Sequence, residues 1–266
     1  MIKAILSRIQ QGHRTYPYPS QPPKLPERFR GAPSLDPTRC PESCHQCSEV
    51  CPTDAIRVDG DRLAIDMGRC LFCTECTTAC PTGAVTLTKE YRLAARRRDD
   101  LIVDHEFEPR RKALDDKIRK LFGRSLKLRQ VSAGGCNACE ADVNVLGTLV
   151  FDLGRFGIQI VASPRHADGI LVTGPVTENM LLALRKTYDA VPSPKIVIAV
   201  GACAISGGPY IGHRQISNGV DSCLPVDLYV PGCPPHPYTI LDGLLGLLGR
   251  IEEGRVSARN EGANTP

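Results

Sequence analysis

Apolar and polar residues follow different periods along this chain, and the clearest pattern lies beyond residue 125. Short apolar runs read as strands at 126–131 (LKLRQV), 157–163 (GIQIVAS), 169–174 (GILVTG), 195–201 (KIVIAVG) and 227–232 (DLYVPG). KIVIAVG is the most apolar, as expected of a central strand in a parallel sheet, where both faces are covered. Helical spacing appears over 138–156, 178–190 and 238–252, with Thr177 in the N-cap position of the second. Upstream, Ile2, Ile5, Leu6 and Ile9 recur at helical spacing, with Lys3 and Arg8 off that face. Residues 17–37 are rich in proline and have no apolar period, so they read as an extended arm. Such an arm has no core of its own and is expected to lie along another protein. Short strands are expected at 55–58, 63–66 and 84–87.

The element order beyond residue 125 is β-α-β-β-α-β-β-α. It predicts an α/β fold of flavodoxin-like type, an open parallel sheet, joined to an N-terminal α+β unit. The chain divides into an arm (1–37), a cysteine-rich unit (38–90), a charged and partly helical linker (91–125), the α/β domain (126–253) and a polar, disordered tail (254–266).

The 266 residues suffice for two ordinary domains. The net charge of +4 matters only through its location. Residues 89–125 hold twelve Lys/Arg against eight Asp/Glu, with peaks at 96–98 (RRR) and 110–112 (RRK). The chain has only 13 aromatic residues and no Trp, and none interleaves these basic runs. No stacking platform for nucleic acid is therefore expected. A solvated connector is the plain reading of this stretch, and docking on an acidic subunit or anionic lipid is the sharper one. No secretory or twin-arginine leader is recognised at the N-terminus, and the longest apolar stretch, near 240–248, is too short to span a bilayer. The abundance of cysteine, thirteen in all, then points to metal-bound thiols in a reducing cytosol rather than to disulfides.

Eight of those cysteines form two matching runs. The first is C-x3-C-x2-C-x3-C-P (Cys40, Cys44, Cys47, Cys51), and the second is C-x2-C-x2-C-x3-C-P (Cys70, Cys73, Cys76, Cys80). The repeat extends past the thiols, with CPTDAI at 51–56 echoed by CPTGAV at 80–85, a shift of 29 residues. Spacings of this kind bring four sulfurs around one [4Fe–4S] cubane. The stretch resembles a bacterial two-cluster ferredoxin, in which the fourth Cys of each run ligates the other cluster. The resemblance implies one cluster on Cys40, Cys44, Cys47 and Cys80, and a second on Cys70, Cys73, Cys76 and Cys51. The first run has one residue more than the usual pattern, in Pro41–Ser43. Either a wider loop absorbs it, or that cluster is labile or shifted in potential.

Four more thiols follow strands in the α/β domain. Cys136 and Cys139 lie in GGCNACE after the first strand, Cys203 in GACAISGG after the most apolar one, and Cys233 in PGCPPHP after the last. Three loops from one sheet edge thus converge, and adjacent glycines allow close backbone approach to a bulky group. A third [4Fe–4S] cluster is expected there. Cys223 lies outside any motif and reads as an ordinary small residue.

With SPRHADGILVTGPVT (163–177), these motifs resemble the small subunit of [NiFe] hydrogenases and the 20-kDa-type subunit of respiratory complex I. The complex I subunit has two adjacent cysteines in the first motif. This chain has C-x2-C, as hydrogenases do, and is most similar to the membrane-bound, energy-converting group 4 type, as in formate hydrogenlyase. The lead-in YPYPSQPPKLPERFRG and the cysteine-rich unit resemble the ferredoxin-like subunit of those complexes, so two usually separate subunits are fused here.

The resemblance implies an oxidoreductase subunit that relays electrons through three [4Fe–4S] clusters to a Ni–Fe centre in a large subunit. Ion-translocating membrane subunits and an external donor or acceptor, of formate dehydrogenase or ferredoxin type, are the other implied partners. The chain would sit peripherally on the cytoplasmic face of the cell membrane. No catalytic residue is expected in this chain. Glu140 is a candidate for a proton path, or else a first-turn carboxylate that favours the helix dipole. Arg165 and His166 either flank a cluster or quinone, or lie on the surface. Two rival functions remain open. The same wire can serve a complex I-like quinone reductase or a nickel-free relative, or the chain can be a free-standing soluble carrier.

Overall fold

The structure is a computed structural model that describes residues 2–41, 44–59, 62–104, 107–109, 122 and 125–250. Glu42 and Ser43 in the lengthened loop, the RRK run at 110–112 and the tail at 254–266 lie outside the described residues.

Two runs of unbroken apolar sequence fix the centre of the α/β domain. Gly169–Thr173 (β8) and Ile196–Val200 (β9) are buried at every position. A strand can be apolar on both faces only if both are covered, and here they are. Val197 and Ala199 face one apolar cluster, while Ile196, Ile198 and Val200 face the other. Leu126–Ser132 (β6), Ile158–Ile160 (β7) and Leu228–Val230 (β10) complete a sheet of order β10-β9-β8-β6-β7, and every pair is parallel. This is the flavodoxin-like order, with its switch point between β6 and β8.

Three helices cover the sheet. Ala138–Val145 (α4) and the wholly buried Pro237–Leu247 (α7) share one cluster with β9. Glu178–Ala190 (α5) contributes Leu184 to the other. The helix expected over 138–156 stops at Val145. The chain turns, and a separate 3-10 turn covers Leu153–Phe156, with Leu153 N–H returning to Leu146 O at 2.9 Å. A short helix at Ala202–Ser206 (α6) follows β9 directly.

The cysteine-rich unit is a pair of small antiparallel sheets. Ile56–Asp59 (β2) pairs with Arg62–Asp66 (β3), which pairs with Ile102–Val103 (β5). Pro33–Leu35 (β1) pairs with Val85–Leu87 (β4). Two one-turn helices, Gln46–Glu49 (α2) and Glu75–Ala79 (α3), carry thiols. The unit thus draws strands from both sides of 38–90. Its core residues Leu63, Ile65, Met67, Leu101 and Val103 belong to the same apolar cluster as one face of the large sheet.

Two expectations are corrected here. Beyond its first helix, Ile2–Gln11 (α1), the Pro-rich arm packs on its own chain. Tyr18 is buried against α7, its hydroxyl donating to Asp242 Oδ1 at 2.5 Å, and β1 is a sheet strand. The physical reason is that extended segments need a surface, and α7 with β4 supplies one in the same molecule.

The basic linker, over its described part, is a packed seam rather than a solvated connector. Tyr91, Leu93, Ala95, Leu101 and Val103 are buried, and Ala95 N–H donates to Tyr229 O at 3.0 Å. Arg98 grips Asp66 with two hydrogen bonds of 2.7 and 2.6 Å.

Candidate metal centres

The first group of thiols is assembled from both halves of the internal repeat. Cys47 sits on α2, Cys40 and Cys44 precede it, and Cys80 ends α3. Burial pushes the Cys40 thiol up, and the thiols of Cys44 and Cys80 push it further. Burial likewise raises Cys47, with Cys40 and Cys80 adding to it. The second group is built the same way. Burial raises Cys70 to about 12, with Cys76, Cys51 and Cys73 contributing. Cys76 rises to about 11, through burial and then Cys73, Cys51 and Cys47. Each group therefore gathers three thiols from one run and one from the other.

The sequence echo at 51–56 and 80–85 has a structural counterpart. Ala55 N–H donates to Cys51 Sγ and Ala84 N–H to Cys80 Sγ, both at 3.2 Å. Phe72 N–H donates to Cys70 Sγ at 3.3 Å. Burial alone would raise Cys80, but backbone N–H groups at Val85, Thr82 and Ala84 hold it below the usual thiol value. Donors of this kind favour the thiolate, the form that binds metal.

The third group stands at the carboxyl edge of the large sheet. Cys136 and Cys139 follow β6, Cys203 is in α6 after β9, and Cys233 follows β10. Burial raises Cys139, and Cys203, Glu140, Cys233 and Cys136 raise it further. Cys203 is raised to about 11 by burial, then by Cys233, Cys136 and Glu140. Glycine opens this space. A Cβ on Gly201, at φ +92, would lie 2.6 Å from Cys139 Sγ. One on Gly208, at φ +56, would lie 2.8 Å from Cys203 Sγ.

The second group adjoins both of the others. Cys76 of the second feels Cys47 of the first. Cys233 of the third, raised by burial and by Cys136, also feels Cys73 of the second. Phe72 lines both the enclosed space among Cys51, Cys70, Cys73 and Cys76 and the cavity beside Cys233.

Among the described residues no three Cys, His, Asp or Glu side chains close on one point as a single-ion site does. The donor sets suit a multi-iron body, since each offers thiols as its sulfur ligands and, at the third, Gly201 and Gly208 leave room beside Cys139 and Cys203.

Glu140 is buried in the first turn of α4, and its Oε1 accepts from Thr173 Oγ1 at 2.7 Å. Thr173, at the end of β8, is a residue that sequence reasoning misses. Its only signal there is a hydroxyl ending an otherwise apolar strand. Arg165 and His166 are exposed on the 3-10 turn between β7 and β8. Cys223 donates to Val220 O at 3.2 Å and joins none of the three groups.

A flavodoxin-like sheet bearing thiols at its strand ends, joined to a two-run cysteine unit, defines an iron–sulfur subunit of oxidoreductase type. Comparison with known proteins agrees. Residues 39–84 match the 4Fe-4S dicluster domain, and residues 136–247 match the NADH ubiquinone oxidoreductase, 20 Kd subunit. The chain is 42% identical over 144 residues to a probable membrane-bound hydrogenase subunit, mbhJ, of Pyrococcus furiosus, covering 53% of this chain and 86% of that protein. It is 41% identical to formate hydrogenlyase subunit 7 of Escherichia coli, over 54% of this chain and 56% of that one. It is 43% identical to an NADH-quinone oxidoreductase subunit of Bacteroides thetaiotaomicron, over 52% of this chain and 70% of that one. The chain belongs to the 20 Kd subunit family of NADH ubiquinone oxidoreductase, with a 4Fe-4S dicluster domain ahead of it.

Proposed function

We propose that this chain is the electron-transfer subunit of a membrane-associated, hydrogenase-type complex. Cys40, Cys44, Cys47 and Cys80 hold one [4Fe–4S] cluster, Cys51, Cys70, Cys73 and Cys76 a second, and Cys136, Cys139, Cys203 and Cys233 a third. When bound, each cluster supplies a one-electron carrier whose potential answers to burial and to hydrogen bonds on its sulfurs. The observation that carries the reading is that the thiol groups adjoin: Phe72 lines both the space among Cys51, Cys70, Cys73 and Cys76 and the cavity beside Cys233. The chain's own residues do the rest. N–H groups of Ala55, Phe72 and Ala84 orient thiolates, apolar walls such as Ile56, Ile65 and Leu87 keep water from the second site, and Glu140 with Thr173 can hold a proton beside the third.

The exposed Cys136 and Cys233 leave the third site open on the side where a large subunit with a Ni–Fe centre would dock. Ion-translocating membrane subunits and a donor or acceptor of formate dehydrogenase or ferredoxin type complete the assembly. In this reading the chain sits peripherally, on the cytoplasmic face. No helix among the described residues is long and apolar enough to cross a membrane. The domain division follows the chemistry, with the cluster-bearing cysteines within 38–90, flanked by β1 and β5 of the same unit, and the 20 Kd-type domain at 126–253.

A quinone reductase of complex I type is the second reading, favoured by the 43% identity to an NADH-quinone oxidoreductase subunit. The test is anaerobic purification of the complex with wild-type chain and with Cys203→Ser. The proposal expects nickel in the wild-type complex and H2-linked dye reduction that Cys203→Ser abolishes, while direct dye reduction of the two N-terminal clusters survives. A nickel-free complex that reduces quinone would decide for the second reading.

A further inference from the structure

Helix α1 contributes nothing to either core: none of its residues is buried. Ile2, Ile5, Leu6 and Ile9 are 75, 57, 51 and 73% exposed. At spacings of three and four residues they form one continuous stripe. The charges around that stripe have one sign. Residues 1–26 contain Lys3, Arg8, Arg14 and Lys24, and no Asp or Glu.

The chain that follows the helix is tethered at a fixed place. Tyr16 N–H donates to Val150 O at 2.9 Å, and Arg155 Nη2 donates to Tyr16 O at 2.7 Å and to Tyr18 O at 3.1 Å. Val145, Leu149 and Val150, beside that tether, are 36, 75 and 45% exposed. An uncovered apolar stripe thus precedes the Tyr16 tether and exposed Val145, Leu149 and Val150 stand at it, and the charges on the helix side are all cations.

We infer that α1 lies in the plane of a bilayer surface bearing anionic headgroups, and that it docks the molecule to lipid directly. An aliphatic stripe burdened with no carboxylate can enter the headgroup boundary, while Lys3, Arg8 and Arg14 stay among the phosphates. An anionic surface adds an attraction for each cation near it, and the attraction fades with salt. The inference concerns this segment alone and holds whether the complex reduces protons or quinone.

The test is flotation of the iron-loaded full chain with vesicles of phosphatidylcholine and phosphatidylglycerol, against phosphatidylcholine alone. The expected result is binding to the mixed vesicles at least about tenfold tighter than to the neutral ones, weakened by salt. Ile5→Asp with Ile9→Asp should abolish it, and Lys3→Glu with Arg14→Glu should weaken it. Because α1 buries no residue, these variants should keep wild-type iron content and circular dichroism, which separates lost binding from lost folding. Failure to float with mixed vesicles would overturn the inference, as would equal binding to both vesicle types or binding unmoved by the aspartates. Loss of co-purification with partner subunits without any vesicle binding would assign the stripe to a protein groove instead.

Discussion

Gly201 shows how closely the backbone is fitted around the third site. Its φ of +92 and the 2.6 Å approach of a would-be Cβ to Cys139 Sγ leave no place for a side chain. Gly201→Ala should cost about 1–3 kcal/mol in backbone strain alone. It should also displace the thiol, so the third-cluster signal in low-temperature electron paramagnetic resonance should vanish while the other two persist. Retention of all three signals would show that the loop yields. Cys223→Ser provides the contrast. Serine can keep the bond to Val220 O, so iron content and stability should stay within about 0.5 kcal/mol of wild type.

At this scale the sequence is most readable where chemistry is local. The repeated CPT-x-A motif implies equal surroundings for Cys51 and Cys80, and the two N–H to sulfur bonds are equal in length. Thr173 and Tyr18 are not readable, because the partners Glu140 and Asp242 are brought to them by the fold. Tyr18 and Asp242 stand 224 residues apart.

Among elements, one ion pair fixes the edge of the small sheet that meets the α/β domain. Arg98, on the 3-10 turn before β5, holds Asp66 at the end of β3, whose Oδ1 also accepts from Gly68 N–H at 2.9 Å. Gly68 O in turn accepts from Ser206 Oγ on α6 at 3.0 Å. With Asp66 only 8% exposed, Asp66→Ala leaves Arg98 partly buried without this partner. It should cost about 3 kcal/mol in denaturant unfolding of the iron-loaded chain. A cost below about 1 kcal/mol would mark the pair as no stronger than a surface bridge.

The seam also shows why the packing of the linker is hidden in its sequence. RRR at 96–98 reads as a solvated run when its charges are counted, but the apolar residues around it divide between two clusters, Tyr91 and Ala94 in one and Leu93, Ala95, Leu101 and Val103 in the other. No single period describes such a strip. The central strands β8 and β9 and helix α5, each packed on one continuous sheet, obey one period and are legible nearly to the residue, while the edge strands β7 and β10 are shorter than their apolar runs.

For the whole molecule, the raised thiols set a pH dependence in the metal-free chain. Burial lifts Cys70 from 9.0 to about 12, and Cys76 and Cys203 to about 11. Below pH 9 these thiols are protonated in both folded and unfolded chains. As pH rises from about 9 towards 12, the unfolded chain ionises and the folded one resists, so stability falls over that window. The iron-loaded chain has no such protons to lose. Its stability should fall less, the shared remainder coming from tyrosines such as Tyr18, whose phenol burial also raises. Parallel loss in both forms, followed by thermal unfolding, would show that the thiols are not the source.

The central claim is that twelve thiols in three adjoining groups hold three clusters in one chain. Iron and acid-labile sulfide measured on anaerobically reconstituted full-length protein test it most directly. The account expects about twelve of each per chain, the content of three cubanes. A reproducible value near eight, the content of two, would contradict it.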